Sequence, residues 1–162
     1  MKSDSRFLRV ALAVVLLAIC AAAADEPFSP HYASIRRTET NLREGPSYDH
    51  RILWIYKRKD YPVWIISAYG EWRHVRDSDG STGWMHHTQL SDRRTVLFVS
   101  HARSALRDAP DGAGKIVAYA APGVVAVVKA CELSACDVDV SGIDGWADKR
   151  DLWGVEPGEI FH

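Results

Sequence analysis

The residues able to do chemistry in this chain are few, and their contexts do not support catalysis. No Gly-x-Ser-x-Gly elbow occurs, so no serine has the strained turn that presents a nucleophile. His74, His86, His87 and His101 lack a Cys or Ser partner in a nucleophile motif. A shared metal site on His74 and His86-His87 meets a geometric obstacle, because neighbours on a strand point to opposite faces. Asp77 and Asp79 precede Gly80 in an Asp-x-Asp-Gly run, where carboxylates satisfy the backbone of a turn rather than flank a scissile bond. These groups predict no enzyme, no cofactor and no metal centre.

Three cysteines are present. Cys20 lies in an N-terminal segment with a basic start (Lys2, Arg6, Arg9), an apolar run Val10–Ile19 and an Ala-rich end, which reads as a secretory signal over residues 1–24. Bulky Ile19 before Cys20 argues against lipidation there. Export to the periplasm or beyond leaves Cys131 and Cys136, and an even count in an oxidising compartment favours a disulfide. A zinc pair at this spacing lacks a second pair of ligands. Facing positions on a hairpin would bring the two within bridging distance.

The aromatic residues carry more information than the ionisable ones. Four of six tryptophans, Trp54, Trp64, Trp72 and Trp84, fall in the first half, with Tyr48, Tyr56, Tyr61 and Tyr69. A unit of about 60 residues cannot enclose so many large rings, because small domains bury only about 60% of their chain's surface. Some must face solvent, where Trp and Tyr make flat platforms at low entropic cost. Trp54, Tyr56, Trp64, Tyr69, Trp72 and Trp84 are therefore the candidate ligand contacts. The competing reading is that these rings seal a junction between two units.

The elements that must position them are strands. The chain has 162 residues, 47% apolar and 25% charged, with net charge −1, ordinary values for a globular protein. Residues 25–31 hold two prolines and read as an extended leader. Beyond it no window keeps a helical apolar period for a full helix. Runs such as Arg51–Tyr56, Tyr61–Tyr69 and Trp72–Arg76 alternate or are β-branched, and Gly, Pro and Asp punctuate them. Charge is split, net +2 over residues 31–93 and −3 over 94–162. That asymmetry is too small for a nucleic-acid-binding domain.

The pattern repeats. Leu42-Arg43 is matched by Leu106-Arg107 at an offset of 64, and Gly83-Trp84 by Gly145-Trp146 at 62. Such drift is what loop-length changes produce in two copies of one module. Trp72 falls on Ala135, where the second copy looks to have exchanged an aromatic packing element for the neighbouring disulfide. The Gly-Trp pairs read as the closing strand of each unit. Only Ser91–Arg94 separate the copies, so the two should pack together, with the tail after Leu152 free to dock across the junction.

Asn41–Pro46 (Asn-Leu-Arg-Glu-Gly-Pro), Pro62–Ile66, Trp72–Val75 and Gly83–Leu90 together resemble a bacterial Src-homology-3-like (SH3b) domain. The second copy keeps Leu106-Arg107, Val138, Gly145-Trp146 and Leu152, but has Ala105 where the first has Asn41. The ending Leu152–Glu159 resembles that of a subgroup of exported tandem proteins from proteobacteria. The resemblance spans residues 32–159. It implies an all-β chain of two tandem small SH3-like β-barrels, residues 32–93 and 94–162, that binds peptides or cell-wall polymers beside an enzyme rather than acting as one. The expected partner is a peptidoglycan stem peptide or a periplasmic protein. A structural subunit with no polymer affinity is the alternative, and a hydrolase with an unrecognised site a lesser one.

Overall fold

The computed structural model describes residues 27–162; the expected export signal and Cys20 lie outside them. The regular structure of the described residues is almost entirely strand. The first unit has strands β1 (His31–Ile35), β2 (Thr40–Arg43), β3 (Ile52–Tyr56), β4 (Pro62–Tyr69), β5 (Trp72–Arg76), β6 (Thr82–His86) and β7 (Leu90–Ser91). The second has β8 (Thr95–Phe98), β9 (Ser104–Arg107), β10 (Ile116–Ala120), β11 (Val125–Cys131), β12 (Ala135–Val140), β13 (Ile143–Asp148) and β14 (Leu152–Trp153). A one-turn 3-10 segment precedes the last strand of each unit, at His87–Gln89 and Lys149–Asp151.

The two sheets have one topology. Their strand orders, β3-β2-β6-β5-β4-β1-β7 and β10-β9-β13-β12-β11-β8-β14, superimpose element by element. The repeat extends to single hydrogen bonds. Asp60 N–H donates to the Ile35 carbonyl at 2.7 Å, and Gly123 N–H donates to the Phe98 carbonyl at 2.7 Å. Both residues have positive φ, 62° and 78°, so both copies use the same left-handed turn into the long strand. Tandem SH3-like units are thus what the chain forms, with β1 beginning at His31, inside the expected leader.

Each unit has its own core. Ile35, Leu42, Val63, Val75 and Met85 fill the first; Val96, Phe98, Leu106, Val138 and Ala147 fill the second. The bridge Cys131–Cys136 belongs to the second core, and its two residues face each other across the β11–β12 hairpin with Cα atoms 4.1 Å apart.

The Gly-Trp strands do not close the units. Strand β6 pairs with β5 along its length and meets β2 at Arg43–Trp84, so it ties the central meander to the first hairpin. The sheets end in β3 and β10 on one side and, on the other, in β7 and β14 paired against β1 and β8. Glycine is required here by proximity. A Cβ on Gly83 would lie 2.7 Å from Leu42 Cγ and 2.8 Å from the Arg43 carbonyl oxygen, and one on Gly145 would lie 2.9 Å from Leu106 Cβ.

The units pack together. Thr95 Oγ1 donates to the Asp60 carbonyl at 2.8 Å, and the Arg58 guanidinium donates to the Gly123 carbonyl at 2.6 Å. These are the two equivalent turn residues, so the junction joins matching corners of the copies. Trp153, which stands on β14 where Ser91 stands on β7, is edge-on to Tyr32 at 5.4 Å, with the Arg76 guanidinium 5.9 Å from its ring centre. Farther on, Glu159 takes two hydrogen bonds from Arg94, at 2.6 and 3.0 Å, and Phe161 pairs with Cys131. The tail is therefore anchored on the second unit and on the short connector.

Candidate functional site

The six candidate aromatics divide among three places. Trp54 is the most exposed tryptophan among them, at 62%, on β3, which has β2 on one side and a free edge on the other. Its strand neighbours Ile52, Leu53 and Ile55 are also exposed. Four exposed apolar residues in sequence on a sheet edge form the kind of patch that marks an interaction surface.

This patch is one wall of a groove of about 820 Å³, lined by Leu42, Leu53–Arg58, Tyr61, Asp77, Asp79, Ser81 and Thr82. The opposite wall is the β5–β6 turn. Asp77 builds that turn: its Oδ1 accepts from the Asp79 and Ser81 N–H groups at 3.0 and 2.8 Å, while Oδ2 accepts from the Tyr56 hydroxyl at 2.6 Å. Tyr61 joins the same wall, its hydroxyl 2.7 Å from Ser78 Oγ. Burial, followed by the hydrogen bond and charge of Asp77, pushes the Tyr56 phenol far above its ordinary range. Burial also raises the Tyr61 phenol. Both stay neutral, so the wall offers rings and hydroxyls, and charge comes from Asp79, Lys57 and Arg58. Tyr56 itself is buried and shapes the floor.

Trp64 is elsewhere. It packs edge-on against Tyr32 at 4.7 Å, in line with Trp153, and so belongs to the junction. The competing reading of the aromatics holds for this one residue.

Trp72 and Trp84 lie on the outer face of β5 and β6. Cross-strand pairing sets Trp72 against His86 and His74 against Trp84. The His74 and Trp84 rings stack at 4.9 Å, and Tyr48 covers Trp72 at 5.0 Å. Trp72 is buried by this ladder. Tyr69 is exposed at the strand end that enters the Gly70 turn. These residues do not line the groove beside Trp54.

The second unit differs where Trp72 would stand. Ala135 leaves an open cleft of about 420 Å³ over Trp146, lined also by Arg107, Pro110, Asp148 and Arg150. The disulfide does not replace the missing indole, since Cys136 follows Ala135 on the strand and points into the core. Asp148 is held below its ordinary carboxylate range by its hydrogen bonds with Arg150.

The face-alternation argument for His86 and His87 also needs correction. Strand β6 ends at His86, which caps the 3-10 turn that begins at His87. The chain bends there, and the two rings come to 4.9 Å of each other. Leu53, Ile55, Ser81 and Thr82 of the groove are not singled out in the sequence; the only signal for the first two is an apolar run, which a buried strand shows equally well.

The chain matches the family model described as bacterial SH3 domain twice, over residues 36–92 and 100–154. No curated protein matches it. Among solved structures it is similar to NlpC1 from Trichomonas vaginalis (16% identity, 82% of this chain and 49% of that one, TM-score 0.34). It is similar also to NlpC2 from the same organism (17%, 77% and 48%, 0.35) and to an NlpC/P60 family protein from Bacillus cereus ATCC 10987 (12%, 75% and 55%, 0.34). The chain thus spans about half the length of these proteins, and scores at this level support no transfer of activity.

Proposed function

This chain belongs to the bacterial SH3 domain family, and on that premise we propose that it is an exported, non-catalytic tandem module that recognises cell-wall peptide. The observation that carries the reading is the groove between Trp54 and the Asp77–Thr82 turn. Its apolar edge strand suits the backbone and small side chains of an extended peptide, and its rims carry both signs of charge. Stem peptides of peptidoglycan present free carboxylates and ammonium groups, which Lys57 and Asp79 complement. Placement in the periplasm or outside the cell, and membership of the proteobacterial tandem subgroup, are part of this proposal. Among the described residues no helix is long and apolar enough to cross a membrane.

A periplasmic protein partner is the second reading, favoured by the exposed run Ile52–Ile55, which could pair with a strand of another protein. Co-sedimentation of the purified protein with insoluble peptidoglycan distinguishes the two. Pelleting that soluble stem peptides compete away supports cell-wall recognition. Protein that stays in the supernatant at all loads contradicts it.

A further inference from the structure

We propose that Glu71, His86 and His87 form a binding site for a late first-row divalent cation, with Zn²⁺ as the cation to test. Their donor atoms all lie within 4.8 Å of one another, the one such group of three among the described residues. Two imidazoles and a carboxylate are a donor set that suits zinc, and three protein donors leave a position for water or an outside ligand. In the present arrangement His87 Nε2 is 2.6 Å from Glu71 Oε2, and a bound cation would take the place of that hydrogen bond. Donors on a tetrahedral ion at about 2.0–2.1 Å sit roughly 3.4 Å apart, which exposed His87 and Glu71 can reach by side-chain rotation alone.

The least mobile donor is the best oriented. His86 Nδ1 is 2.9 Å from Thr88 Oγ1 and 3.4 Å from the Thr88 N–H it caps, so a cation on Nε2 requires the tautomer whose Nδ1–H donates to Thr88 Oγ1, the arrangement of second-nitrogen hydrogen bonds in built sites. Its ring is held between Tyr48, stacked at 5.7 Å, and Trp72, edge-on at 5.4 Å. The backbone fixes the rest. His87 N–H donates to the Glu71 carbonyl at 2.9 Å, and Trp72 pairs with His86, so turn and strand end cannot drift apart.

The second unit is an internal control. The same backbone bond recurs there from Lys149 N–H to the Ser134 carbonyl at 3.0 Å. Yet Ser134, Asp148 and Lys149 occupy the three positions, Asp148 is paired with Arg150, and the Lys149 ammonium is bonded to the Glu159 carbonyl. The fold does not require the histidines; the first unit has them in addition.

The test is calorimetric titration of Zn²⁺ into the untagged protein at about pH 7.5. One saturable site is expected. His87→Gln, at an exposed position, should weaken it by roughly tenfold or more while leaving the metal-free melting temperature unchanged, and Glu71→Gln should do likewise. A parallel Cu²⁺ titration should quench tryptophan emission, because Trp72 is the indole against His86, and Trp72→Phe should remove most of that quenching. No saturable binding, or a site that survives His86→Gln and His87→Gln together, would overturn the proposal.

Discussion

Asp77 serves two structures at once, and its single side chain ties the groove wall to the floor. One oxygen holds the turn through two N–H groups, and the other accepts the buried Tyr56 hydroxyl. Asp77→Ala would leave those donors unpaired, at a cost of about 2–4 kcal/mol. Asp77→Asn, which keeps an acceptor for the turn, should cost less. Chemical unfolding followed by tryptophan emission measures both, and equal small effects would show that the turn stands without its carboxylate. The turn role was legible from Asp-x-Asp-Gly alone. The bond to Tyr56 was not, because no spacing rule links residues 21 apart across a sheet. Likewise Trp54, Trp64 and Trp72 looked alike as residue types, and only tertiary placement assigns one to a groove, one to a junction and one to a ladder beneath Tyr48.

Duplication is most visible in the strands. The paired motifs were detectable because each residue solves a backbone problem that both copies share, as Gly83 and Gly145 do where β6 and β13 cross β2 and β9. Gly83→Ala should destabilise the first unit by about 1–3 kcal/mol, the ordinary cost of overpacking, since Leu42 and the Arg43 carbonyl must give way. A melting temperature equal to that of the wild type would refute the close-approach account. Which edge of a sheet stays free was not legible, since a run such as Ile52–Ile55 reads the same whether a neighbour covers it or not. The tail is a third element with its own energetics. Burial raises the Glu159 carboxyl, but hydrogen bonds from Arg94 and the Glu156 N–H outweigh it and hold it below its ordinary range. Its contribution, about 1–2 kcal/mol, is therefore complete at neutral pH and lost as pH falls through that depressed value. Glu159→Gln should lower stability at pH about 7 and flatten the acid limb of the stability curve. An unchanged acid limb would remove Glu159 from the docking of the tail.

At the scale of the molecule, the two units meet through equivalent corners, Asp60 and Gly123, and through the aromatic series Trp64, Tyr32 and Trp153. The short connector foretold packing of the units against each other, although not which surfaces would meet. One consequence is functional. The groove beside Trp54 is adjoined by a second cleft of about 440 Å³ between the units, lined by Ser78 and Asp79 from the first and by Leu97–His101, Pro122 and Gly123 from the second. On the proposed function, a ligand long enough to leave the groove past Asp79 would contact both units. The most direct measurement is calorimetric titration of a soluble peptidoglycan stem peptide into the wild type and into Trp54→Ala, an exposed position whose truncation should leave stability within about 0.5 kcal/mol. The account predicts measurable binding by the wild type, weakened roughly tenfold or more in the variant; equal affinity in the two proteins would contradict it.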